Sequence, residues 1–149
     1  MRLLHLDPPV VMNIKKIRRL MRKYGLFCPI RQANPYRRMA KAMVHGNAQD
    51  AVGDTMNAGR IIVHGSIGDA AGYAMRGGEI YVEGNAGYRA GIHMKAYGDK
   101  LPAMVIGGRA GSFLGEYQAG GVIIVLGLTE SSRPIVSNFP CTGMHGGKL

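Results

Sequence analysis

The sequence has 149 residues and a mass of 16.0 kDa, which fits one domain with an appendage and allows a hydrophobic core. Glycine contributes 23 residues while 46% of the chain is hydrophobic, so a disordered tract and a collagen-like protein are both excluded. The two cysteines, Cys28 and Cys141, give neither a disulfide framework nor the spacing of a metal or iron–sulfur site. The longest apolar run, residues 122–126, is far shorter than the ~20 residues of a membrane span.

The formal net charge of +10 belongs entirely to residues 1–43, and residues 44–149 are neutral. We therefore predict two domains with these bounds, a basic head (1–43) and a body (44–149). In the head, apolar residues at helical spacing predict a short amphipathic helix over residues 10–24: Val10, Ile14, Ile17, Met21 and Tyr24. The opposite face carries the candidate nucleic-acid contacts: Lys15, Arg18, Arg19 and Arg22. The alternative interpretation is a solvated charged face, or a remnant without a role.

Residues 13–42 resemble the segment of insertion-sequence transposases that follows the helix-turn-helix region. The resemblance rests on the dense run from Asn13-Ile-Lys-Lys-Ile-Arg-Arg-Leu-Met-Arg-Lys-Tyr-Gly25 to Pro35-Tyr-Arg-Arg-Met-Ala-Lys-Ala42. It implies weak, salt-sensitive DNA contact through residues 10–43, because the transposase catalytic domain has no counterpart in these residues. The junction near residue 43 also suggests a gene whose 5′ end comes from a mobile element.

The body is a repeat. A glycine follows each of five short apolar runs, and we call these the anchor glycines: Gly46, Gly65, Gly84, Gly108 and Gly127. Their spacing is 19 residues except between Gly84 and Gly108, where an insertion falls within residues 96–103. Further glycines recur inside the units and complete the set of predicted structural glycines: Gly53, Gly68, Gly72, Gly87, Gly91, Gly111 and Gly115.

The apolar runs predict one strand per unit, over residues 61–63, 80–82, 104–106 and 123–125, because they are short, β-branched and bounded by glycine. Similar residues recur at the same position of each unit. This is typical of stacked repeats, in which each unit buries its apolar face against the neighbouring units. The predicted fold is therefore all-β, a right-handed parallel β-helix of about 19-residue turns preceded by the basic α-helical segment.

Residues 44–149 resemble the glycine-repeat (GXGXG) domain at the C-terminal end of the glutamate synthase large subunit. The resemblance rests on matching segments: Gly53-Asp-Thr-Met56, Gly72-Tyr-Ala-Met-Arg-Gly-Gly78, Gly84-Asn-Ala-Gly-Tyr-Arg-Ala-Gly91, Phe113-Leu-Gly-Glu-Tyr-Gln-Ala-Gly-Gly121 and Thr142-Gly-Met-His-Gly-Gly147. It implies a right-handed β-helix that packs against catalytic domains and does no chemistry itself. It also implies partners that carry FMN and iron–sulfur clusters, and a role in an oxidoreductase assembly for nitrogen assimilation.

Alternative sites in the body have simpler explanations. His45, His64 and Glu83 precede successive anchor glycines and would form a metal ladder, but an exposed polar row is the better explanation, because the next unit has Gly107 at this position. Asp50 and Asp69 share a repeat position, where two carboxylates would repel or share a proton. The glycine spacing does not indicate a nucleotide site, because it matches neither a dinucleotide fingerprint nor a P-loop. Cys141 has His145 four residues later, but this spacing alone does not define a nucleophile.

We predict a cytoplasmic, non-catalytic scaffold domain with no catalytic residue, cofactor or metal of its own and no membrane contact. A DNA-binding fragment derived from a transposase and a non-functional fusion remnant are the alternatives.

Overall fold

The computed structural model describes residues 41–149 together with Arg19 and Lys23. Contacts divide the chain into two units, Met1–Pro35 and Tyr36–Leu149, and nearly all the described residues belong to the second. The boundary predicted between residues 43 and 44 stays a prediction, and the first strand runs across that position.

The second unit contains six strands: β1 (Lys41–Val44), β2 (Arg60–Val63), β3 (Glu79–Val82), β4 (Ala103–Ile106), β5 (Ala119–Val125) and β6 (Gly146–Lys148). They form one parallel sheet in which each strand pairs with the next along the chain. The register follows the repeat, so that Arg60 pairs with Glu79 nineteen residues later. The four strand positions predicted from the apolar runs are therefore confirmed.

The core lies behind the inner face of the sheet. Alternate strand residues point inward because successive side chains of a strand face opposite sides. Ile80, Met104 and Ile123 stack from strand to strand at one such position and are fully or almost fully buried. Full burial of a side chain of this size contributes about 2–3 kcal/mol to the free energy of folding. The segments between strands complete the core with Ala71, Met75, Ala90, Met94 and Leu114.

These connecting segments are held by a regular pattern of left-handed residues. Ala70, Gly72 and Ala74 have φ of +53°, +67° and +48°. The N–H groups of these residues point alternately to the following and the preceding repeat. Ala70 N–H donates to Tyr88 O in the following repeat (2.7 Å), and Gly72 N–H donates to Val52 O in the preceding repeat (2.8 Å). The backbone N–H groups of the connecting segments are therefore hydrogen-bonded although these segments are not strands.

The predicted right-handed β-helix with a leading basic helix is wrong as the fold class. The structure has a six-stranded parallel sheet, with one strand per repeat and turns and isolated bridges between strands. The physical reason is the left-handed residues, which interrupt any extended run in the connecting segments. The helix predicted over residues 10–24 lies outside the described residues except for Arg19 and Lys23, which are helical and exposed, and every element with described bounds is a strand.

The fifth repeat is complete, although its spacing hides it in the sequence. Val136 bridges to Ala110 and Lys148 pairs with Val122, each 26 residues apart, because residues 128–134 form an additional loop. Cys141 (φ +60°) stands where Gly115 stands one unit earlier, so the repeat also loses its marker glycine. Among the residues that the structure describes, no helix is long and apolar enough to cross a membrane.

Candidate interaction surfaces

The outer face of the sheet, opposite the core, carries three rows of side chains that cross the strands. We call them the start row (Lys41, Arg60, Glu79, Ala103, Val122), the middle row (Met43, Ile62, Tyr81, Val105, Ile124) and the end row (His45, His64, Glu83, Gly107, Leu126). The start and end rows are charged or polar on β1 to β3 and become apolar or small on β4 and β5. The outer face therefore has a polar region on β1 to β3 and an apolar region on β4 and β5.

The apolar region contains a depression of about 340 Å³ lined by Tyr81, Glu83, Val105, Leu126 and Leu128 among others. Gly107 lines it without a side chain, and a Cβ there would overlap the Glu83 carbonyl oxygen. Leu128 is 76% exposed and Leu126 is 49% exposed, so large apolar groups border the depression and face solvent.

The end row does not form a metal ladder. The His45 and His64 rings stack with centroids 5.2 Å apart and planes 8° apart, so their nitrogens do not converge on one point. His64 Nδ1 lies 3.2 Å from Glu83 Oε2, which gives an exposed ion pair when the imidazole is protonated. In the described part of the chain no group of three His, Cys, Asp or Glu side chains is placed to hold a metal ion.

Asp50 and Asp69 lie one above the other, as the repeat implies, and each carboxylate accepts a backbone N–H of the following unit. Asp50 Oδ1 accepts the N–H of Asp69 (2.8 Å), and Asp69 Oδ1 accepts the N–H of Tyr88 (2.8 Å). A parallel ladder links Asn47, Ser66 and Asn85, each of which accepts an N–H from the following unit. These side chains bind successive units together, a structural role that the sequence analysis did not identify.

Two columns of aromatic rings lie on the connecting segments, and we call them the aromatic columns. In one, Tyr88, Phe113 and Phe139 follow each other with centroids 5.5 and 5.3 Å apart. In the other, His93 contacts Tyr73 edge-on (5.9 Å) and stacks on Tyr117 (5.2 Å). The first column is invisible as a repeat in the sequence because Tyr88 and Phe113 follow their anchor glycines by four and five residues, and the 128–134 loop shifts Phe139 further.

An ion pair lies beside these columns. The Arg89 guanidinium sits 4.8 Å from the Tyr88 ring centroid, and Arg89 Nε lies 2.7 Å from Oε2 of the buried Glu116, at an angle that does not make a hydrogen bond. The carboxylate side chain is only 6% exposed, so Arg89 is the charge that compensates it.

The predicted structural glycines fall into two groups. One group has positive φ: Gly46, Gly53, Gly72, Gly91, Gly115 and Gly127. The other group, Gly65, Gly68, Gly84, Gly87, Gly108 and Gly111, lies where a Cβ would come within 3 Å of an atom of the preceding unit. Close approach of backbones, and not a phosphate, explains the second group.

Of the predicted nucleic-acid contacts, the structure describes Arg19, which is exposed. Lys15, Arg18 and Arg22 lie outside the described residues, so DNA contact by the head stays a prediction. His145 Nδ1 lies 3.0 Å from the Gly143 carbonyl oxygen, and among the described residues no hydrogen bond joins this imidazole to Cys141. Cys141 is a free, partly buried cysteine.

Comparison with known proteins identifies the body. The GXGXG motif family model matches residues 37–149, and the chain belongs to this family, which includes the C-terminal domain of glutamate synthase. The chain is also 58% identical over 110 residues to the uncharacterized protein MJ1350 of Methanocaldococcus jannaschii. That match covers 72% of this chain and 42% of the relative, so the chain spans about two fifths of the relative's length. No solved structure matches the chain significantly.

The resemblance of the body to the glutamate synthase domain is thus confirmed. The resemblance of residues 13–42 to transposases stays a prediction, and most of that segment precedes the matched range.

Proposed function

We propose that this chain is a non-catalytic scaffold in a cytoplasmic oxidoreductase assembly for glutamate synthesis, where its outer face packs against catalytic subunits that carry FMN and iron–sulfur clusters. Family membership supports the relation to glutamate synthase. The observation that carries the scaffold role is the apolar region of the outer face, which is formed by Val105, Ile124, Leu126 and Leu128 and bordered by charged rows.

Apolar side chains that are contiguous, exposed and surrounded by polar groups are the usual form of a protein interface. Ile124, Leu126 and Leu128 are each at least 45% exposed, although a short distance away their neighbours Ile123 and Val125 contribute to the core. The depression between Leu126 and Glu83 would receive a single apolar side chain of the partner, the arrangement in which interface residues contribute most to affinity.

The first test is affinity purification of the tagged chain from its own cells, with identification of the bound proteins and a visible absorption spectrum. The proposal expects a flavin and iron–sulfur protein that stays bound in moderate salt, because apolar contacts are little screened by ions. Recovery of the chain alone, or with nucleic acid that salt removes, would refute it.

The second test places the interface. Leu126→Asp and Leu128→Asp should release the partner, because they bury a carboxylate without a counter-charge. Leu101→Asp is the matched control, since Leu101 is 59% exposed and does not line the depression. Equal retention of the partner by all three variants would show that another surface binds it.

A further inference from the structure

The insertion in the third repeat folds into a hairpin. Tyr97 and Lys100 exchange both backbone N–H···O=C bonds at 3.1 Å, across a two-residue turn with Gly98 at φ +57°. Glycine with positive φ at the first central position is typical of tight hairpin turns. A Cβ at Gly77 would be 3.1 Å from the Lys100 Cβ, so the hairpin packs directly on Gly77.

This hairpin forms one wall of a cleft of about 930 Å³ in the body. The opposite wall consists of the first residues of β1 to β3, Lys41, Arg60 and Glu79, and backbone of residues 57–59 and Gly78 also lines the cleft. Its volume lies in the range of about 300–1,000 Å³ found for small-molecule sites. The cleft is open to solvent and is separate from the apolar region of the outer face.

The cleft has an excess of positive charge, although the body as a whole is neutral. Arg60 Nε donates to Glu79 Oε2 (2.6 Å), and the Tyr81 hydroxyl donates to the same oxygen (3.3 Å). This pairing fixes the guanidinium at the cleft wall and raises the pKa of Arg60 above its usual value. Lys41 and Lys100 also line the cleft and form no ion pair with any described residue. Asp99, at the tip of the hairpin, is the only other acidic residue among the described lining residues.

We propose that this cleft binds a small organic anion, with its phosphate or carboxylate groups between Lys41, Arg60 and Lys100 and its remaining surface against Tyr97 and Leu101. Lys41 and Lys100, which form no ion pair with any described residue, line the same cleft as the guanidinium that Glu79 holds in place. Together they supply positive charge for a multiply charged anion. Tyr97 and Leu101 are 64% and 59% exposed and supply the apolar contact that small-molecule sites combine with a few charged groups. The proposal is independent of the scaffold role.

The test titrates the ¹⁵N-labelled full chain with ADP, as a phosphate probe, and separately with citrate, as a carboxylate probe, at low ionic strength. If the cleft is a site, we expect saturable chemical-shift changes at the backbone amides of Gly98, Lys100 and Gly59 with one of the two probes. The probe that causes them identifies the anion chemistry. Added salt should weaken binding, because the charges in the open cleft are screened. Absence of saturable shifts with both probes at millimolar concentration overturns the proposal.

A pair of variants localises the binding. Lys100→Gln should weaken the responding probe roughly tenfold, the effect of losing one charge-assisted hydrogen bond. Lys95→Gln removes an equal charge from the same repeat, but Lys95 does not line the cleft and its variant should bind within about twofold of the parent. Equal weakening by both variants would show general attraction of anions by the basic chain, and the cleft would not be a site.

Discussion

Gly72 should be a position where adding one methyl group destabilises the protein through packing in addition to backbone strain. Its φ is +67°, and a Cβ built there lies 2.5 Å from the Met104 Cε, well inside van der Waals contact. Met104 is fully buried, so its side chain moves only at the expense of its neighbours. We expect Gly72→Ala to lower the free energy of unfolding by about 2–4 kcal/mol: about 1–2 for alanine in the left-handed region and about 1–3 for overpacking, partly offset by the stiffer unfolded chain.

The matched control is Ala74→Gly, two residues further on. Ala74 has φ +48° and already holds alanine in the same backbone conformation. Removing its Cβ relieves strain and adds flexibility to the unfolded chain, so the free energy of unfolding should change by less than about 1 kcal/mol. The comparison separates the packing cost at Gly72 from the general cost of left-handed alanine.

Urea denaturation followed by circular dichroism provides the measurement, with the free energy taken from the midpoint and slope. A double-mutant cycle with Met104→Ala then assigns the cost to one contact. Met104→Ala alone should cost about 2–5 kcal/mol, and in that background Gly72→Ala should cost only about 1 kcal/mol because the blocking methyl is gone. If Gly72→Ala costs the same in both backgrounds, or no more than Ala74→Gly, the packing explanation is refuted.

Three further predictions concern side chains that link successive repeats. Asp69→Ala should lower the free energy of unfolding by about 1–2 kcal/mol because it loses an acceptor for a backbone N–H, whereas Asp69→Asn keeps an acceptor and should cost less; equal urea midpoints would contradict this. Arg89→Met should cost about 3–5 kcal/mol by leaving the buried Glu116 carboxylate uncompensated, and adding Glu116→Gln should recover much of that loss in a thermal melt; no recovery would mean that Arg89 acts through ring packing alone. Gly143→Ala should destabilise because its Cβ would overlap the Tyr117 ring, and Tyr117→Ala should abolish that effect; a penalty that persists without the ring would assign it to the positive φ of Gly143.

The apolar runs and their 19-residue spacing were sufficient to predict four of the six strands, β2 to β5, and their order of pairing. An unbroken β-branched run between glycines has few alternatives to a strand, and equal spacing brings equivalent residues together. Arg60 and Glu79 show this directly, since they are one spacing apart and form an ion pair across adjacent strands. The family was also predictable, because the glycine segments match in register over most of the chain.

What lies between the strands was decided by tertiary structure. Alanine, arginine, histidine and tyrosine residues there adopt positive φ because bonds to the units before and after satisfy their N–H groups, and no local preference announces this. The hairpin at Tyr97 becomes the wall of a cleft only because Gly77 gives it a surface to rest on. The sequence alone therefore determined which segments pair, since pairing depends on local pattern and spacing. The positions of exposed apolar groups, charged side chains and open clefts depend on contacts between residues far apart in the chain. Only the folded protein fixes those contacts.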